Sequence, residues 1–157
     1  MNRPQLAALV LAVLAIPGVA AAKKLRIDME GFSGEATPID ATHVALHPIA
    51  DGKATHMGNI HFESNEVFDY ATSTVVSSFT ITAADGDLVF GAINGTLTPD
   101  YESLTGQFEG VYEITGGTGR FAGATGEGSW DVFFPSLIPE VAAVTPAKVT
   151  GKGTIEY

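Results

Sequence analysis

Few side chains in this sequence have the type and spacing needed for acid–base or metal chemistry. The four histidines are His43, His47, His56 and His61. His43 and His47 have a spacing that suits a metal on a helix but separates the two side chains by about 13 Å on a strand. The chain has no cysteine, and no dense carboxylate cluster joins the histidines. We therefore expect surface or loop histidines, with no metal and no cofactor.

The sequence also predicts no catalytic nucleophile or carboxylate pair. No serine lies in the Gly-x-Ser-x-Gly pattern of a nucleophile elbow. Carboxylate pairs for glycoside chemistry would have to come from four acids in the second half of the chain. These are Glu109, Glu113, Glu127 and Asp131. Each alternates with inward-facing residues of a predicted strand, so we expect all four on the outer face as solvated charges.

Residues 112–128 are rich in glycine and contain Gly117-Thr118-Gly119. A nucleotide-binding loop would be followed by a helix, whereas strand-like alternation follows here, and the Walker lysine is absent. We predict a tight connection between two strands, with glycines supplying positive φ. In that connection Phe121 would plug the end of a barrel. Arg120 would bind a carboxylate or backbone carbonyl groups.

The elements that would position these residues are strands. Apolar and polar residues alternate from Leu25 to Glu30 and again in several later segments up to Tyr157. The sequence Ala84-Asp85-Gly86-Asp87 is typical of a hairpin turn. Seven or eight short strands joined by hairpins predict an all-β fold. The expected fold is a closed antiparallel barrel of about eight strands, with a β-sandwich as the alternative.

Two segments do not fit this pattern clearly. Residues 33–59 contain turn signals and a weak strand near His43 to Ile49. Residues 60–63 alternate as a strand, and residues 67–71 are interpreted as the start of another. Residues 135–147 carry three prolines, which a central strand does not tolerate, so we predict a long surface loop there.

The predicted inner face is apolar and aromatic, and it contains no carboxylate, histidine or lysine. Its members are Leu25, Ile27, Met29, Phe79, Ile81, Phe108, Tyr112, Ile114, Trp130, Val132, Ile155 and Tyr157. Such a lining would hold a small apolar or aromatic ligand. The candidate ligand-binding residues are Trp130, Tyr112, Phe108, Tyr157 and Phe79. The alternative is a plain packed core, because an eight-stranded barrel is narrow enough to be filled by its own side chains.

Residues 1–22 have the features of a cleavable signal peptide, and residues 23–157 would form a single barrel domain. Arg3 precedes an apolar run from Leu6 to Val19, which is shorter than the roughly 20 residues of a membrane span. We expect export to the periplasm or the medium, with no membrane insertion after cleavage. The net charge of −10 argues against binding nucleic acid or anionic lipid.

Three segments of the chain resemble sequences of the allene oxide cyclase-like barrel superfamily, which includes the plant dirigent proteins. They are Gly116 to Gly126, the turn from Ala83 to Asp87, and the closing Gly153 to Tyr157. The chain looks most like the small exported bacterial members, most of which lack an assigned activity. The resemblance implies an antiparallel barrel with an apolar pocket, often trimeric in the plant members. Because the first half of the chain matches poorly, no pocket residue is carried over.

Three functions follow as hypotheses. The first is an exported barrel that binds a small apolar or aromatic molecule. The second is a templating cyclase or isomerase, which the resemblance implies and which would need a buried acid or base in its pocket. The third is a structural subunit that forms a dimer or trimer through apolar residues from Leu137 to Val144.

Overall fold

A computed structural model describes residues 21–137 and 145–157, and within them the chain is almost entirely β-structure. The one helical element is a 3₁₀ turn, Gly119–Phe121. No helix in the described part is long and apolar enough to cross a membrane. The strands are β1 (Lys23–Phe32), β2 (Thr37–Pro38), β3 (His43–Leu46), β4 (Ile49–Ala54), β5 (Gly58–Asp69), β6 (Thr74–Thr82), β7 (Leu88–Asp100), β8 (Thr105–Gly117), β9 (Thr125–Phe134) and β10 (Pro146–Glu156).

All of these strands belong to one antiparallel sheet that closes on itself. The order around the ring is β5-β4-β1-β10-β9-β8-β7-β6, and β6 pairs back to β5. Strand β5 pairs first with β4 and then, towards its C-terminal end, with β3, so β3 and β4 share one position in the ring. The predicted closed barrel of eight strands is confirmed, and the sandwich alternative is wrong.

The residues that alternation placed on the inner face do face inward. Every residue assigned to it is buried except Tyr157, which is partly exposed. Two glycines make room for Tyr112: a Cβ on Gly128 would lie 2.7 Å from its Cε1, and one on Gly153 would lie 2.5 Å from its hydroxyl. Without these glycines, the ring of Tyr112 could not fill the middle of the barrel.

The 3₁₀ turn closes one end of the barrel. Phe121 is fully buried there, as predicted. The Nε of Arg120 lies 2.9 Å from a carboxylate oxygen of Asp85, in the hairpin turn between β6 and β7. The backbone N–H of Arg120 donates to Asp87, 3.0 Å away. The predicted plug and the predicted carboxylate partner of Arg120 are therefore both confirmed, and they join two neighbouring turns.

Three predicted strand assignments need correction. The alternation at residues 60–63 and the first three residues of the supposed new strand at 67–71 belong to the single strand β5, which ends at Asp69 before a turn. Residues 33–59 contain β4 as well as β3, because the chain resumes pairing after the break at His47-Pro48. Strand β10 begins at Pro146, inside the segment predicted as a loop, since proline is tolerated at the first residue of a strand.

Candidate ligand-binding cavity

The barrel end opposite Phe121 opens into a cavity of about 390 Å³, here called the wide-end cavity. Several inward positions at this end carry small side chains, including Ala50, Val44, Val75 and Ala147, and these leave space that the other end fills with larger ones. The main lining side chains are Phe32, Val44, Leu46, Ile49, Ala50, Phe62, Glu66, Phe68, Tyr70, Val75, Ile93, Leu97, Phe108, Trp130, Val132, Phe134, Leu137, Ala147 and Val149. The barrel is thus packed at one end and hollow at the other.

Trp130 forms the floor of the cavity. Its ring lies 5.3 Å from the ring of Phe62, 6.2 Å from that of Phe79 and 6.1 Å from that of Tyr112, measured between centroids. Aromatic rings at these separations attract one another beyond the effect of burial alone. This cluster separates the wide-end cavity from the packed half of the barrel.

The five predicted ligand-binding residues fall into three places. Trp130 and Phe108 line the cavity. Phe79 and Tyr112 do not line the cavity, but their rings pack against that of Trp130. Tyr157 lies at the closed end, where its ring is 4.8 Å from that of Phe121. The geometry brings four of the five together, and their role in binding stays a prediction.

Glu66 also lines the cavity, so the expectation of an inner face without a carboxylate is wrong. The inward residues of β5 follow at two-residue spacing through Phe62, Ser64, Glu66 and Phe68. The sequence carried this signal, because the same alternation begins at Ile60. The prediction of two separate strands, at residues 60–63 and 67–71, leaves Glu66 between them.

Glu66 has an unusual electrostatic environment. Burial raises its pKa to about 7, an effect that the hydrogen bond from Ser64 partly opposes. The hydroxyl of Ser64 donates to Oε1 of Glu66 at 3.0 Å. In residues 21–137 and 145–157 no lysine, arginine or histidine forms an ion pair with it. Glu66 can therefore hold or release a proton near neutral pH.

Two buried hydroxyl groups have no hydrogen-bond partner within the described residues. One belongs to Ser77, which pairs directly with Glu66 across β5 and β6 and so faces the same side of the sheet. The other belongs to Tyr112, whose pKa burial raises to about 12. Ser64, Glu66 and Ser77 thus form a small polar patch in an otherwise apolar wall.

The remaining titratable groups of interest lie on the outer face. His61 is 2.7 Å from Asp51, and His43 is 2.9 Å from Asp40; in each case the hydrogen bond to the carboxylate raises the histidine pKa. The described residues contain no group of three or more potential metal ligands. The four acids considered for glycoside chemistry also lie outside the barrel, as their alternation predicted.

The loop at residues 135–147 is described only in part. Leu137 lines the wide-end cavity. Residues 138–144, which include most of the apolar segment considered for self-association, lie outside the described residues, as do residues 1–20 of the predicted signal peptide.

No family model matches the chain, and no curated protein matches its sequence. The fold is similar to a solved structure, that of the pterocarpan synthase dirigent protein GePTS1, with a TM-score of 0.50. The similarity covers 87% of this chain and 86% of that chain, at 10% sequence identity. The barrel fold is therefore similar to that of a dirigent protein, in agreement with the resemblance that the glycine-rich sequence indicated. At this identity the likeness concerns the fold alone.

Proposed function

We propose that this chain is an exported barrel protein that binds a small apolar or aromatic molecule in the wide-end cavity. The observation that carries the proposal is the cavity itself, with a volume of about 390 Å³ and mostly apolar walls. Small-molecule sites typically have volumes of about 300–1,000 Å³ and a few polar groups in an apolar lining. The signal-like sequence of residues 1–22 supports export.

The cavity offers two kinds of contact to such a molecule. Trp130, Phe62 and Phe108 present broad apolar surfaces, against which a ring or an alkyl chain would lose contact with water. Glu66, which accepts a hydrogen bond from Ser64, supplies a polar contact on one wall, and this contact would orient the ligand. Binding strength would come mainly from the first kind of contact and orientation from the second.

Binding is directly measurable because Trp130 is the only tryptophan. We expect para-bromobenzyl alcohol, a small neutral aromatic molecule, to quench Trp130 emission saturably through its bromine. The variant Ala147→Phe should weaken this binding by about tenfold or more, because the added ring would occupy the cavity.

The control is Val111→Phe, which places the same aromatic ring at a position that is 62% exposed on the outer wall. It should bind the probe as the wild type does. Thermal melting would confirm that both variants fold. Equal affinity of folded Ala147→Phe and the wild type would contradict binding in the cavity.

A templating cyclase or isomerase is the second candidate, and Glu66 is the observation that favours it. Such an enzyme needs an acid or base at its pocket, and a carboxyl group with a pKa of about 7 serves either role. If the cavity directs a ring closure, Glu66→Gln should lower the rate by about 10²–10⁴-fold while leaving substrate affinity nearly unchanged. Unstable epoxides are suitable test substrates, because a proton from Glu66 can go to the epoxide oxygen as the ring opens, with the stereoisomer ratio of the products as readout. An unchanged rate and ratio would exclude this role.

A further inference from the structure

We infer that the molecule bound in the wide-end cavity is a small hydrophobic amine, held with its ammonium group at Glu66. The inference rests on the proposed binding function and names the chemical class of its ligand. Its basis is the charge composition of the cavity wall, considered together with the aromatic rings around it.

Glu66 is the only carboxylate among the described residues that line the cavity, and no lysine, arginine or histidine among them accompanies it. An ionised carboxylate away from water is costly unless an opposite charge pairs with it. Its protein contact is the hydroxyl of Ser64, which donates a hydrogen bond but carries no charge. A ligand with an ammonium group would supply both the missing charge and further hydrogen-bond donors.

The rings near Glu66 favour a cation as well. Phe68 is the next inward residue on β5, and its ring makes an edge contact with Tyr70 at 4.8 Å between centroids. Phe62 and Trp130 lie deeper in the same cavity. The faces of aromatic rings attract cations, and the attraction increases when the cation is removed from water. A cavity that combines one carboxylate with several aromatic rings therefore suits an ammonium group carried on an apolar body.

The charge of the whole chain acts in the same direction. A net charge of −10 attracts cations and repels anions before any contact is made. An anionic ligand would meet this repulsion and then Glu66, with no basic side chain among the described lining residues to bind it. A neutral ligand would leave the ionised carboxylate without a partner of opposite charge.

Three probes of nearly equal size distinguish a cationic, a neutral and an anionic ligand. They are para-bromobenzylamine, para-bromobenzyl alcohol and para-bromobenzoate. Each is titrated at about pH 8 with quenching of Trp130 as the signal. We expect the amine to bind at least about tenfold more tightly than the alcohol, and the benzoate to bind more weakly than either. This comparison uses the wild-type protein and needs no variant.

Two variants locate the origin of the preference. Glu66→Gln should bind the amine and the alcohol within about threefold of each other. Glu63→Gln removes the same charge from the outward face of the same strand, where the side chain is 65% exposed, and should keep the wild-type preference. If the alcohol binds the wild type as tightly as the amine, or if Glu66→Gln keeps the preference, the amine inference is wrong and the proposed binding function stands. If none of the three probes binds the wild type, the binding function fails and the inference fails with it.

Discussion

Replacing Phe121 with alanine should lower the free energy of unfolding by about 3–5 kcal/mol, the usual cost of removing a fully buried aromatic side chain. Phe121 is completely buried, and its ring contacts Tyr157 at 4.8 Å between centroids. It also belongs to the turn that Arg120 joins to the neighbouring hairpin. The loss would therefore open the closed end and leave a cavity there. Urea denaturation followed by circular dichroism measures the change.

The control for this variant is Phe133→Ala, because Phe133 lies on the outer face of β9 and is 41% exposed. Its cost should be well below that of Phe121→Ala, since a partly exposed side chain has less contact with the core to lose. Similar losses for the two variants would contradict the role of Phe121 as the plug of the barrel. Both measurements concern the packed end and leave the wide-end cavity intact.

Replacing Glu66 with glutamine should make the protein more stable above pH 7, by up to about 3 kcal/mol. Burial raises the pKa of Glu66 from its ordinary value of 4.5 to about 7 in the folded protein. The folded state therefore binds this proton more tightly than the unfolded state does. Stability from this group is complete below about pH 4.5 and is lost as the pH rises to about 7. Glutamine cannot ionise, so the variant should not show this loss.

The difference between the two stability profiles isolates Glu66 from other titrating groups. The raised pKa values of His43 and His61 also make wild-type stability fall with increasing pH, but they contribute equally to both proteins. The exposed variant Glu102→Gln, at a position with no ion pair in the described part of the chain, should follow the wild-type profile. Parallel profiles for wild type and Glu66→Gln between about pH 4 and 8 would show that the pKa of Glu66 is not raised in the folded protein.

The second half of the barrel was predictable from sequence because its strands alternate without interruption. Phe108, Tyr112 and Trp130 face inward as expected, and the glycines beside them provide the space that their rings need. The packing role of Phe121 could be predicted as well. A single large apolar residue in a glycine-rich turn can be buried only by packing into the adjacent end of the barrel. These features depend on local pattern, which the sequence shows directly.

The first half was less predictable, for two physical reasons. The break at His47-Pro48 divides one position of the ring between β3 and β4, so neither piece is long enough to show a clear period. Glu66 continues a buried alternation, but a charged residue at an inward position departs from the usual pattern of buried strands. The pairing of β5 with both β6 and β3 fixes the side chain of Glu66 on the inner face of the barrel.

The cavity itself could not be predicted from alternation. Alternation identifies which residues face inward but not how well their volumes fill each level of the barrel. At the wide end Ala50 and Ala147 face inward and leave room, while at the other end Phe121, Met57 and Leu25 fill the interior. Whether an eight-stranded barrel is filled or hollow depends on this distribution of sizes.

Ligand binding in the wide-end cavity can be tested by a crystal structure of residues 23–157 soaked with para-bromobenzyl alcohol, with the bromine located by its anomalous scattering. If the alcohol binds in the wide-end cavity, we expect one strong bromine peak inside the barrel, near the ring of Trp130. The Ala147→Phe crystal should lack that peak. A wild-type barrel that holds no bromine inside, or that carries it only on the outer wall, would contradict the proposed function.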